Sequence, residues 1–119
     1  MQDFRKLRVW HQAQEMCVEI YRVSADFPSE ERYGITSQVR RAAVSVGSNI
    51  AEGARRASAI DKGRILNISE SEGSEVMSLL DISDRLRFAR PAQLQALIRR
   101  YDELGAQIEA LRQSVLAGG

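Results

Sequence analysis

The 119-residue chain carries 17 Lys and Arg against 16 Asp and Glu, for a net charge of +1, and has a single cysteine. That balance lacks the basic excess that by itself marks a nucleic-acid binder. The lone Cys17 excludes an internal disulfide and points to a reducing, intracellular compartment, and no stretch approaches the roughly 20 apolar residues of a membrane span. A chain of this length holds one continuous core without metal or disulfide support, so residues 1–119 read as a single domain.

The first predicted helix spans about residues 3–25, with Asp3 as its N-cap. The charged run from Asp3 to Arg8 does not resemble a secretory signal. Leu7, Trp10, Ala13, Cys17, Ile20 and Ser24 recur at helical steps and form the expected core stripe. Trp10 reads as a core or interface anchor. His11 has no second ligand or catalytic partner and reads as a surface imidazole. Cys17 reads as a small buried apolar residue. Phe27-Pro28 then turns the chain, because proline disfavours helical geometry at the residue before it. Gly34 supplies permissive backbone, and Phe27 and Tyr33 are expected to close the end of the bundle.

The second helix, about 36–54, has too many small and apolar residues for a one-sided surface helix. Ile35, Val39, Ala42, Val46, Ile50 and Gly53 centre on one face, the core stripe. Arg40, Val44, Gly47, Ala51 and Ala54 form a second stripe of mostly small residues. A helix that is apolar most of the way round is buried on more than one side, so this second stripe is the candidate oligomer interface. Asn49 and Glu52 could hydrogen-bond across helices.

Ser58-Ala59-Ile60-Asp61 has the form of a capping box and opens a third helix, about 59–88. Ile65, Ile68, Glu72, Val76, Leu79, Ser83 and Leu86 make its predicted stripe. Glu72 either reaches water at the stripe's edge or is buried beside a partner such as arginine. Glu70, Glu72 and Glu75 lack an accompanying histidine and read as a solvated acidic patch rather than a metal site. Pro91 begins the fourth helix, about 91–116. There Leu94, Leu97, Tyr101, Leu104, Ile108, Leu111 and Val115 follow three-and-four spacing without a fault. Gly118-Gly119 end the chain as a frayed tail.

Four amphipathic helices with short connections predict an all-α, up-down antiparallel four-helix bundle. No phosphate loop, metal-spaced Cys/His set or nucleophile–base constellation occurs, so no catalytic or metal-binding residue is assigned and the chain reads as a non-enzyme.

Val9-Trp10, Phe27-Pro28, Glu31, the run Tyr33 to Gln38, Arg40 to Ser45 and Ser48 to Gly53 together closely resemble a four-helix-bundle family. That family is encoded in intervening sequences of bacterial 23S ribosomal RNA genes. The accessory variability proteins of diversity-generating retroelements look like relatives of it. Two departures stand out: Gly47 replaces a common proline, and Ser71-Glu72 replaces a usual Gly-Ser pair ahead of Glu75. The resemblance implies a cytoplasmic bundle without cofactor or enzymatic activity that assembles into a homo-oligomeric ring, typically a pentamer. In the retroelement relatives a basic surface binds nucleic acid and the reverse transcriptase.

Two functions follow as expectations. The first is an oligomeric interaction scaffold built through the second stripe. The alternative is RNA or DNA binding through a basic surface repeated around the ring, with Arg40, Arg41, Arg55, Arg56, Lys62 and Arg64 as candidate contacts. The competing outcome for those cations is pairing with the chain's own carboxylates.

Overall fold

The computed structural model describes residues 3–118, so Met1, Gln2 and Gly119, the last residue of the predicted frayed tail, lie outside the described part. Four α-helices follow one another: α1 (Arg8–Ser24), α2 (Ile35–Ala54), α3 (Ala59–Arg85) and α4 (Pro91–Leu116). Short 3-10 turns at Phe4–Lys6 and Ser29–Glu31 precede α1 and α2, and the described residues contain no strand. The helices run up and down in a body of 45 × 22 × 20 Å. Each packs against its neighbours in chain order, and α4 closes back onto α1, leaving α1 and α3 on one diagonal and α2 and α4 on the other. This is the all-α four-helix bundle read from the sequence. The α3–α4 seam is the most extensive, and α1–α4 is the sparest of the four.

The core runs the length of the bundle. Val39, Ala42, Ala43, Val46 and Ile50 of α2 meet Leu66, Val76 and Leu80 of α3 and Leu94, Tyr101, Leu104 and Ile108 of α4. The faultless α4 pattern is buried from Leu94 to Ile108, and Leu111 and Val115 are half-covered at its end. Apolar area removed from water is the main favourable term here, at about 25 cal/mol per Å².

Several boundaries differ from the sequence reading, each for a local reason. Asp3 does cap, but it caps the 3-10 turn: its Oδ1 accepts the Arg5 N–H at 3.0 Å. Leu7 is extended (φ −83°, ψ 123°), which separates that turn from α1. On α1 the buried face is rotated toward Val9, Met16 and Val23, leaving Trp10 and Cys17 only half-buried. Trp10 stacks edge-on with Phe4 at 5.0 Å between ring centroids. Phe27 closes the bundle end against Phe88 (5.6 Å) as expected, whereas Tyr33 is 84% exposed and does not. Arg32 lies over its ring instead, 4.8 Å from the centroid.

On α3 the predicted stripe is also rotated. Leu66, Ser69, Gly73, Val76, Leu80 and Ser83 face inward, while Ile68, Ile82 and Leu86 stay exposed. A buried serine is tolerable because its hydroxyl is satisfied. Ser69 donates to the Val46 carbonyl on α2 at 2.7 Å and Ser83 to the Leu79 carbonyl at 2.7 Å. The Ser58 hydroxyl accepts the Asp61 N–H at 3.1 Å, confirming the helix start. The helix ends at Arg85 rather than near Phe88, because Arg87 adopts φ 61°. The Phe88 N–H then reaches the Ser83 carbonyl and the Arg87 N–H the Asp84 carbonyl, both at 2.9 Å. That pairing is a Schellman stop built on a residue other than glycine.

Candidate functional site

The second stripe of α2 divides in the structure. Gly47 and Ala54 are buried inside the bundle. Around Gly47 the nearest atoms come from Gln14 and Ala13 of α1, so this glycine admits a neighbouring helix of its own chain. Val44 is 45% exposed and Ala51 is half-covered. Arg40 is drawn onto α1: its Nε donates to Ser24 Oγ at 2.8 Å and a terminal nitrogen donates to the Tyr21 carbonyl at 3.2 Å. Its guanidinium lies 4.6 Å from the centre of the Tyr21 ring. A cation at the C-terminal carbonyls of α1 suits the negative end of that helix. It also fixes Tyr21 in place.

What remains open beside Arg40 is apolar. Val18 (48% exposed) and Tyr21 (44%) of α1 stand next to Val44 of α2. With Gln14, Cys17 and Ser48 they line a surface groove of about 370 Å³. The α1 half of this patch was missed in the sequence, although Val18 and Tyr21 sit three residues apart, one step round from the core stripe. Burial raises the Cys17 thiol above its usual range, so a reactive thiolate at neutral pH is disfavoured.

Most of the proposed nucleic-acid contacts are already engaged. Arg41 reaches Glu75 at 3.0 Å and Glu72 at 3.7 Å, joining α2 to α3. Glu72 is therefore the partly buried, arginine-paired carboxylate of the two readings. Desolvation raises its pKa, with Glu75 adding to the effect. Arg56 pairs with Glu52 one turn back, and Arg64 lies 3.7 Å from Asp61. Lys62 Nζ donates to the Ala54 carbonyl at 3.3 Å, capping the end of α2. Glu52 thus bonds to the turn just past its own helix, and Asn49 bonds within the helix, its amide donating to the Ser45 carbonyl and hydroxyl. Among the described residues Arg55 makes no ion pair, and neither do Lys6 and Arg8 near the start of the chain.

The up-down topology gathers those three cations at one end. The half of the bundle formed by residues 3–14, 46–71 and 105–118 carries eight Lys and Arg against five Asp and Glu. The other half carries nine against eleven. The charge is thus segregated along the axis, a feature that net charge hides and only the helix order reveals. His11 is exposed and its Nε2 lies 2.7 Å from the Arg5 carbonyl. Among the described residues no group of three or more His, Cys, Asp or Glu could hold a metal ion.

The family model for the 23S rRNA-intervening sequence protein matches residues 5–110, which span nearly the whole bundle. The chain belongs to this family. It is also similar to a crystal structure of a protein of unknown function from the S23 ribosomal protein family of Bacteroides thetaiotaomicron. The TM-score is 0.81 at 22% identity, over 87% of this chain and 97% of that one. At that identity the likeness speaks to the fold, and it agrees with the four-helix order seen here. No curated protein matches the chain. No helix among the described residues is long and apolar enough to cross a membrane.

Proposed function

We propose that this 23S rRNA-intervening sequence protein is a non-enzymatic, cytoplasmic, single-domain bundle. In this reading it acts as an interaction scaffold by assembling with copies of itself, as a pentameric ring, through the α1–α2 face. One observation carries the proposal: Val18, Tyr21 and Val44, each more than two-fifths exposed, line one groove that joins α1 and α2. Of the stripe read from the sequence, Arg40, Val44 and Ala51 belong to this face; Gly47 and Ala54 serve the monomer's own packing. Val44→Glu places a charge in the groove without touching the core, and Ala51→Glu does so at its margin. Light scattering on a sizing column tests this: the variants are to run as monomers with unchanged helicity, and an unaffected oligomer removes this face from the interface.

The second reading, RNA or DNA binding, is favoured by the axial charge separation. Its contacts are Lys6, Arg8 and Arg55, with Arg56, Lys62 and Arg64 beside them, rather than Arg40 and Arg41. Ring assembly would repeat this basic end once per subunit. Phosphate contacts release counterions, so affinity for structured RNA is to fall steeply between low and moderate salt. Replacing Lys6, Arg8 and Arg55 by alanine is to flatten that dependence. Absence of binding even at low salt rules this reading out.

A further inference from the structure

Along the α3–α4 seam the chain leaves room that it does not use. A Cβ added at Gly73 of α3 or Gly105 of α4 would meet no atom within 4 Å. Both glycines line one solvent-facing cavity of about 320 Å³, together with Glu70, Met77, Tyr101 and Asp102. Glycine weakens a helix interior, and here two helices accept it at the same place with no intramolecular packing in return.

The polar groups around the cavity are unevenly satisfied. Glu109 is held by Arg112 (2.8 and 2.9 Å) and by Gln113 (2.8 Å). Glu70 stands beside the Glu109 carboxyl, and its buried Oε2, 3.4 Å from the Arg112 Nε, accepts no hydrogen bond. Asp102 has no ion pair among the described residues. Tyr101, 2% exposed, also lines the cavity. Met77 supplies an apolar wall.

We propose that this cavity is a binding site for an organic cation, a guanidinium or ammonium group on a short aliphatic chain. Its N–H donors satisfy Glu70 and Asp102 through charge-assisted hydrogen bonds. Its methylenes lie on Met77 and on the glycine floor, where a side chain of this protein would otherwise stand. The Glu70 carboxyl, pushed up to about 7 by burial and by the nearby Glu109, is the group that gains most from an added cation, because an opposite charge at close range restores its ionised form. The same chemistry is available from a free amine or from a Lys or Arg side chain of a second copy.

Agmatine titrated into the full chain, followed by amide and carboxyl NMR, tests the site. Saturable shifts are expected at Gly73 and Gly105, with Glu70 ionising at lower pH in the bound form. Glu70→Gln combined with Asp102→Asn is to weaken binding about tenfold or more, and Gly105→Met, which fills the cavity, is to abolish it while helicity is retained. Pentanol, of similar length but uncharged, is to leave the glycine amides unmoved. Dilution of the protein without amine separates the sources: concentration-dependent shifts at the same two glycines identify a second copy's side chain as the occupant. Agmatine shifts that spread over all surface carboxylates without saturating, and persist in Gly105→Met, overturn the proposal, provided dilution also leaves both glycines unmoved.

Discussion

Gly53 on the α2–α3 seam and Gly73 and Gly105 on the α3–α4 seam contrast two uses of the same residue. A Cβ at Gly53 would sit 3.4 Å from Ile65 Cγ2 and Leu66 Cγ, so the neighbouring helix already occupies the space that glycine provides. At Gly73 and Gly105 the space stands open. Each glycine costs its helix about 1 kcal/mol relative to alanine. At Gly53 close helix packing offsets that cost; at the other two nothing inside the chain does. The α2–α3 seam is finished within the monomer, reinforced by the buried Ser69–Val46 hydrogen bond and the Arg41 bridge to Glu72 and Glu75. The α3–α4 seam, though the longest, keeps a gap facing solvent.

The largest effect that would break this contrast comes from filling the closed seam. Gly53→Leu is to lower unfolding free energy by about 3 kcal/mol through overpacking, read from a denaturant midpoint. Gly105→Leu, reaching into open space, is to show no such loss. Next in size, Gly73→Ala and Gly105→Ala are each to raise stability by about 1 kcal/mol, since helix propensity improves without a clash. Stability lost in either variant means that the space is not open.

The smallest and sharpest test is pH. The Glu70 carboxyl is raised from 4.5 to about 7 by burial and by Glu109, against the pull of Arg112. Between those values the folded chain holds more protons than the unfolded one, so stability falls as pH rises from about 4.5 to 7. Glu109 works in the opposite sense: bonds from Arg112 and Gln113 lower it to about 2, so its contribution is present above 4.5 and is lost as pH falls toward 2. Glu70→Gln is to remove the decline on the alkaline side, on the order of 1 kcal/mol after discounting for solvent screening, in thermal melts at pH 4.5 and 7. A melting profile unchanged by that substitution contradicts the assignment.

The sequence was most legible where the core is built from large apolar residues. Leu94 to Ile108 on α4 and Val39 to Ile50 on α2 announce their buried faces by spacing alone. It was least legible on α3, because Ser69 and Gly73 look like surface residues until the helix packing is seen, and Ile68, Ile82 and Leu86 look like core. A hydrophobic pattern cannot register a serine whose hydroxyl is satisfied on a neighbouring helix. The surfaces offered for function were half legible for a related reason. Val44 and Ala51 were visible on α2, but their companions Val18 and Tyr21 lie on α1, and only packing joins the two. The basic end gathers Lys6, Arg8 and Arg55 from opposite parts of the first half of the chain, and the open cavity pairs glycines from two helices.

Assembly through the α1–α2 face is the claim on which the proposed role rests. Native mass spectrometry of the unmodified protein tests it most directly: the account predicts a species of five times the 13.3 kDa chain mass, and a 13.3 kDa monomer as the sole species at micromolar concentration would contradict it.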